Sequence, residues 1–260
     1  MFTRLKKDLK SYFHYSLVSA KAQLKAEVAG KILNWIWWIL DPFCMMLVYV
    51  FVFGYVFDAK EPQFSIFVFS GLTMWRFFSS TLTGSVKMIK KNKSLISKVY
   101  FPKYILILTE MWINGFKMLI SFGVVGIMML LMKVSLSWNI IFVLPIFVVL
   151  AIVTFGFSCI LMHFGVYVED LANAIKIILR LMMYLTGIFY DVSTRIPNYG
   201  EVFCNVNPSA FLIRSMRQSL IYSQTPDLGI LVVWLVIGLI LSVLGISIIY
   251  KEENSYIKSI

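Results

Sequence analysis

Residues 139–166 read NIIFVLPIFVVLAIVTFGFSCILMHFGV, a stretch without a single Asp, Glu, Lys or Arg. A helix needs about 20 apolar residues to cross the hydrocarbon core of a bilayer, so this stretch is long enough to span one. It predicts a membrane-spanning helix, and the neighbouring sequence repeats the pattern.

The composition of the whole chain agrees with a membrane protein. Of its 260 residues, 60% are hydrophobic and 14% are charged, whereas soluble domains contain about 45–50% apolar and about 25% charged residues. A net charge of +11 could suggest nucleic-acid binding, but the lysines lie between membrane-length segments and form no soluble basic face. We therefore predict a membrane protein that does not bind nucleic acid.

Six segments have the length and apolarity of spans, which predicts an all-α membrane domain of six transmembrane helices. The segments are 32–57, 64–86, 104–132, 139–166, 171–190 and 228–250. The predicted organisation is a cytoplasmic amphipathic segment at 1–31, the six-helix domain at 32–250 and a cytoplasmic tail at 251–260. We expect no cleavable signal sequence before the first span.

Basic residues predict the orientation of these spans. With both termini in the cytoplasm, the cytoplasmic segments carry 16 of the 24 Lys and Arg residues and the external loops carry 5. Cytoplasmic loops are enriched in Lys and Arg, so this arrangement follows the positive-inside rule. It predicts a multi-pass membrane protein with both termini in the cytoplasm.

Charged side chains within the predicted spans suggest particular contacts. Asp41 and Arg76 lie at matched depths, so they could form a buried ion pair, although Arg76 could instead line a transport path. Glu110, Asn114 and Lys117 share one helix face, which suits either a proton-coupled carrier or a contact between subunits.

Lys176 and Arg180 place two cations one turn apart at the predicted cytoplasmic entrance of the fifth span. They could extend to the membrane interface. They could also bind the diphosphate headgroup of a lipid carrier, since cations form charge-assisted hydrogen bonds with phosphate.

The loop at 191–227 contains two apolar pieces, 196–206 and 208–222, that are shorter than a span. They predict two short re-entrant or interfacial helices, the second capped by Asn207 with Pro208 in its first turn. Aromatic side chains near this loop and in the first span could stack on sugars along a glycan path, or could belong to the core or the membrane interface. The candidates are Trp35, Trp37, Trp38, Tyr49, Phe189, Tyr190 and Tyr199.

Catalysis is not expected. The chain contains no G-x-x-x-x-G-K-[ST] motif for ATP phosphates, and its three cysteines have no metal-binding or disulfide spacing. Neither histidine lies near a plausible nucleophile and acid. We predict no metal or cofactor bound by this chain.

Several stretches resemble the permease subunits of ABC-2 type bacterial polysaccharide exporters. The first is NWIWWILDPFCMMLVYVFVFGYVF, in which Pro42 and Phe53-Gly54 match. The others are SLISKVYFPKY and the final external loop, where Ile196-Pro197, Asn207-Pro208 and Arg217 match. One departure is Glu169-Asp170, where the family often has Arg-Asp.

This resemblance implies a permease homodimer with two separate ATP-binding cassette subunits, which would hold ATP and Mg. It implies export of a lipid-linked glycan, such as O-antigen or a teichoic-acid-like polymer, across a bacterial inner or plasma membrane. It also implies that the segment between spans two and three contacts the ATPase, through Leu95, Ile96, Lys98, Val99 and Tyr100, and that the N-terminal helix gates the entrance. An exporter of a drug or small lipid, and an ATP-independent carrier or channel, remain alternatives.

Overall fold

The computed structural model describes residues 2–29, 34–58, 61–135, 137–192 and 199–258, and within these ranges every regular element is helical. The first half comprises α1 (Phe2–Val28), a 3₁₀ turn (Asn34–Ile36), α2 (Trp37–Tyr49) with a π-helical continuation (Val50–Val56), α3 (Phe64–Val86), and the short helices α4 (Met88–Lys91) and α5 (Lys93–Ile96). The second half comprises α6 (Tyr104–Leu131), a 3₁₀ turn (Trp138–Phe142), α7 (Val143–Tyr167), α8 (Leu171–Leu185), α9 (Gly200–Val206), α10 (Pro208–Leu220) and α11 (Leu228–Lys258).

Four stretches of the described chain are long and apolar enough to cross a membrane: Trp37–Val56, Tyr104–Leu131, Trp138–Tyr167 and Leu228–Glu253. Two of the six predicted spans are not among them. Helix α3 has 23 residues but several Ser and Thr side chains lower its apolarity, and α8 has only 15 residues. Helix α8 ends before the predicted position 190 because the chain turns at Gly187, whose φ of +73° suits glycine.

Helix α3 lies at the centre of the fold. Sixteen of its residues are buried, and it packs against α2, α6, α7, α8 and α10. Helices α7 and α11 pack along each other, where the Ser242 hydroxyl donates to the carbonyl of Ile152 at 3.3 Å. A central helix surrounded by more apolar neighbours can carry polar side chains at internal contacts instead of exposing them to lipid.

The two short helices predicted in the last loop are present as α9 and α10, and the predicted cap is confirmed. The Asn207 side chain accepts hydrogen bonds from the backbone N–H groups of Ser209 (3.1 Å) and Ala210 (3.4 Å), and Pro208 begins the helix. Positions 196–198 of the first predicted piece, including Ile196-Pro197, lie outside the described residues.

Helix α1 lies alongside α6, where the ring of Phe13 meets Trp112 edge-on with centroids 5.7 Å apart. Residues 30–33, which connect α1 to the first predicted span, lie outside the described range. The predicted C-terminal tail continues the last helix as far as Lys258. Leu5 of α1 and Tyr256 of α11 belong to the same hydrophobic cluster as Met88 of α4 and Ile96 of α5.

Candidate functional site

A polar cavity of about 520 Å³ opens between α1, α2, α3 and α6. Small-molecule sites usually measure about 300–1,000 Å³, so the cavity is large enough to hold part of a ligand. Its walls combine two acids, two cations, two indoles and several small polar groups. The lining residues are Glu27, Trp37, Trp38, Asp41, Pro42, Thr73, Arg76, Phe77, Ser80, Asn114, Lys117, Met118 and Ser121.

An ion pair between α2 and α3 forms one wall of this cavity. The guanidinium of Arg76 contacts the Asp41 carboxylate directly, as the matched depths suggested. The prediction that the pair is buried is corrected, however, because the two side chains are 51% and 52% exposed. Both reach into the cavity, so the alternative that Arg76 lines a path is compatible with the same geometry.

A second ion pair joins α1 to α6. The Lys117 ammonium lies 2.7 Å from Oε2 of Glu27, and the indole N–H of Trp38 donates to the same oxygen at 3.1 Å. The ammonium also lies 5.5 Å from the Trp38 ring centroid. The sequence identified Lys117 and Trp38 but not Glu27, which is one of two acids, with Asp8, in the otherwise basic α1.

The polar face of α6 also contacts α3. The Asn114 amide donates to the Thr81 hydroxyl at 3.0 Å, and Glu110 lies against Gly84. The contact observed here lies within the chain, and both interpretations of this face stay predictions.

The segment predicted to contact an ATPase is divided between core and surface. Ile96 is 4% exposed and Leu95 is partly buried, and both pack with Phe101 and Tyr104 in the chain's own core. The prediction that Ile96 faces a partner is therefore corrected, whereas Leu95 keeps part of its surface exposed and its contact with an ATPase stays a prediction. Lys98, Val99 and Tyr100 are exposed and remain available for contact.

Tyr100 belongs to a group of polar side chains that we call the end cluster. The cluster comprises Arg4, Asp8, Tyr100, Tyr250 and Glu253. Arg4 contacts both the Tyr100 hydroxyl and Glu253, the latter at 2.7 Å, and Tyr250 donates to Asp8 at 2.7 Å. The hydrogen bond with Glu253 raises the pKa of Arg4, and burial raises the pKa of Tyr100. The end cluster thus joins α1, the 98–103 segment and α11.

The two cations of α8 are exposed. Lys176 lines an open groove of about 430 Å³ together with Lys87, Ser79, Ser80 and Thr83 of the preceding helices. Arg180 is not among the residues lining that groove, so the structure does not bring both cations to one cavity.

The aromatic residues predicted to line a glycan path lie in different environments: the core, the cavity and the surface. Phe189 is 2% exposed and packs between Tyr49 and Phe53, with ring centroids 4.2 and 4.8 Å away, so its assignment to a path is corrected to the core. Trp37 and Trp38 line the cavity. Trp35 and Tyr199 are exposed, and the Tyr190 hydroxyl donates to the Tyr184 carbonyl at 2.9 Å.

At the other end of the fold, Arg217 of α10 is almost completely buried and contacts three backbone carbonyls. Its guanidinium donates to Gly187 at 2.7 Å, to Ile188 at 2.8 Å and twice to Phe67 at 3.0 and 3.2 Å. A Cβ at Gly71 would come within 2.7 Å of this group, so glycine leaves room for it. The sequence placed Arg217 in the external loop without predicting that it joins α10 to α3 and to the end of α8.

The sequence pattern of the ABC-2 type transporter family matches residues 17–221. The O-antigen export system permease protein RfbA of Klebsiella pneumoniae is 28% identical over 98% of both chains, and RfbA of Myxococcus xanthus is 25% identical over 99% of both. The polysialic acid transport protein KpsM of Escherichia coli is 23% identical over 81% of this chain and 84% of its own length.

Proposed function

Because the chain belongs to the ABC-2 type transporter family, we propose that it is the permease subunit of an ATP-driven exporter of a cell-surface polysaccharide. The observation that carries this proposal is similarity along almost the entire chain to permeases named for O-antigen export. The more distant similarity to a polysialic acid transport protein extends the same substrate class to capsule-like polymers.

In this proposal, six segments cross the inner or plasma membrane, with both termini in the cytoplasm. Helix α3 would cross as a central span surrounded by other helices, since its Ser and Thr side chains form hydrogen bonds within the fold. Helix α8 is short for a span, and the turn at Gly187 would extend it toward the external surface. The positive-inside distribution of Lys and Arg supports this orientation.

The energy would come from a separate ATP-binding subunit, and two copies of each chain would form the transporter. The exposed side chains of Lys98, Val99 and Tyr100 provide a surface for the ATPase. Because the end cluster joins Tyr100 to α1 and α11, a movement of the surface that contains Tyr100 would also move the N-terminal helix α1. The glycan would arrive on a lipid carrier, with Lys176 and Arg180 as a candidate headgroup contact.

The proposal is tested by purifying the tagged full-length chain from its native cells in mild detergent. We expect an ATP-binding subunit to co-purify in equal amount and the complex to hydrolyse ATP. A chain that purifies without an ATPase and whose transport stops when the ion gradient is dissipated would be a secondary carrier. Export of a drug or a small lipid by the intact complex would be consistent with the fold but would contradict the proposed polysaccharide substrate.

A further inference from the structure

The contact between Glu27 and α6 has the form of an occupied anion site. One carboxylate oxygen, Oε2, receives the ammonium of Lys117 at 2.7 Å and the indole N–H of Trp38 at 3.1 Å. These two donors come from different helices, and neither side chain group can accept a hydrogen bond. A negatively charged oxygen therefore satisfies both at once.

The site opens onto the cavity of about 520 Å³, which has room beside Glu27. Arg76 lines the same cavity and contacts Asp41 on another wall. Among the described residues that line the cavity, the two cations are matched by two carboxylates. A ligand anion would have to replace one of these carboxylates.

Glu27 is the carboxylate better placed for such an exchange. It is on α1, outside the stretches long and apolar enough to span a membrane, whereas Asp41 belongs to one of them. The Glu27 side chain is 42% exposed, and a displaced Glu27 could be hydrated outside the cavity. Displacement of Asp41 would leave a carboxylate within an apolar helix, which is far more costly.

We propose that Lys117 and Trp38 form a binding site for a phosphate oxygen, which Glu27 occupies until a phosphate-bearing ligand replaces it. A phosphate oxygen offers the same acceptor chemistry as a carboxylate, with more charge for the ammonium of Lys117. Binding would also break the ionic link that the Glu27 carboxylate forms between α1 and α6. That the ligand is the transported molecule rests on the proposed function; the anion site itself does not.

The test measures binding of two probes to the purified full-length chain in detergent: a polyprenyl diphosphate and inorganic pyrophosphate, with the polyprenyl alcohol as blank. Glu27→Gln removes the competing anion and should tighten binding about tenfold. Lys117→Gln removes a charge-assisted hydrogen bond and should weaken binding about 10–100-fold. Trp38→Phe keeps the ring but removes the N–H, and should weaken binding several-fold.

Matched controls separate this site from general electrostatics. Lys133→Gln makes the same change beyond the far end of α6, at an exposed lysine, and should leave the affinity unchanged. Lys117→Arg should retain most of the binding, because it keeps the charge and the donors.

Binding of the polyprenyl diphosphate alone would identify a lipid headgroup, and equal binding of pyrophosphate would identify a free phosphate group; either supports the site. The proposal is overturned if neither probe binds wild type or Glu27→Gln, or if Lys117→Gln binds as tightly as wild type. These assays require no ATPase. A chain that binds as predicted but drives no ATP-dependent export would refute the proposed function and leave the site intact.

Discussion

Arg217 gives a sharp test of how the external end of the fold is held together. Its guanidinium makes four hydrogen bonds to the carbonyls of Phe67, Gly187 and Ile188, and it is 4% exposed. Arg217→Gln removes the charge, and a shorter amide can satisfy at most some of these carbonyls. Helix α10 should then separate more readily from α3 and α8.

The magnitude follows from the bonds lost. Hydrogen bonds to charged groups contribute about 1.5–3 kcal/mol each, so losing two costs about 3–6 kcal/mol. For a chain of this size, about 1 kcal/mol shifts the melting temperature by roughly 2–4 °C, which gives a decrease of roughly 6–24 °C. The measurement is thermal unfolding of the purified protein in one detergent at one heating rate, since membrane proteins often unfold irreversibly.

Arg214→Gln is the matched control on the same helix. Its guanidinium lies 3.7 Å from a carboxylate of Glu201 whose side chain is 77% exposed. Exposed ion pairs contribute about 0–1 kcal/mol, so the melting temperature should fall by at most about 4 °C. Equal melting temperatures for Arg217→Gln and Arg214→Gln would refute the structural role of Arg217.

Three further predictions concern the opposite half of the molecule. Asp41→Asn should reduce export, measured in a surface-glycan assay, because it leaves Arg76 without its carboxylate, and adding Arg76→Gln should restore part of the lost export. Purely additive losses of export would show that the two side chains do not act as a pair. Val99→Asp places a charge on the exposed surface proposed for the ATPase, so it should uncouple ATP hydrolysis from export or reduce ATPase co-purification. Normal export by this variant would contradict the proposal that this surface contacts the ATPase. Lys176→Gln with Arg180→Gln should keep expression and basal ATPase activity but lose stimulation by lipid-linked glycan, whereas loss of the protein from the membrane would assign these cations to folding.

The sequence predicted much of the helical framework because long apolar stretches have few alternatives. The segment 64–86 coincides with Phe64–Val86, and 104–132 differs by one residue from Tyr104–Leu131. The cap at Asn207 was also predictable, since its chemistry is local. The length of α8 was not, because its end depends on a glycine turn that buried Arg217 helps to hold.

The candidate site was only partly predictable, because its contacts join distant segments. Asp41 and Arg76 could be related by their equal depth, but nothing local relates Glu27 to Lys117. Ile96 faces inward although Ser94 and Ser97 are exposed, and a four-residue helix is too short to show a periodicity that would reveal this.

Phe189 presented a similar difficulty. Its aromatic ring is suited equally to sugar stacking and to packing, and only the approach of Tyr49 and Phe53 decides between them. Residue type and spacing therefore located the aromatic region but could not separate its core from its surface.

The most direct test of ATP-driven polysaccharide export is glycan translocation into inverted membrane vesicles that contain the chain, its ATPase and lipid-linked glycan. The account predicts that the glycan becomes protected from an added glycosidase when ATP is present, and that an ionophore which dissipates the ion gradients does not prevent this. Protection that needs no ATP and disappears with the ionophore would contradict the account.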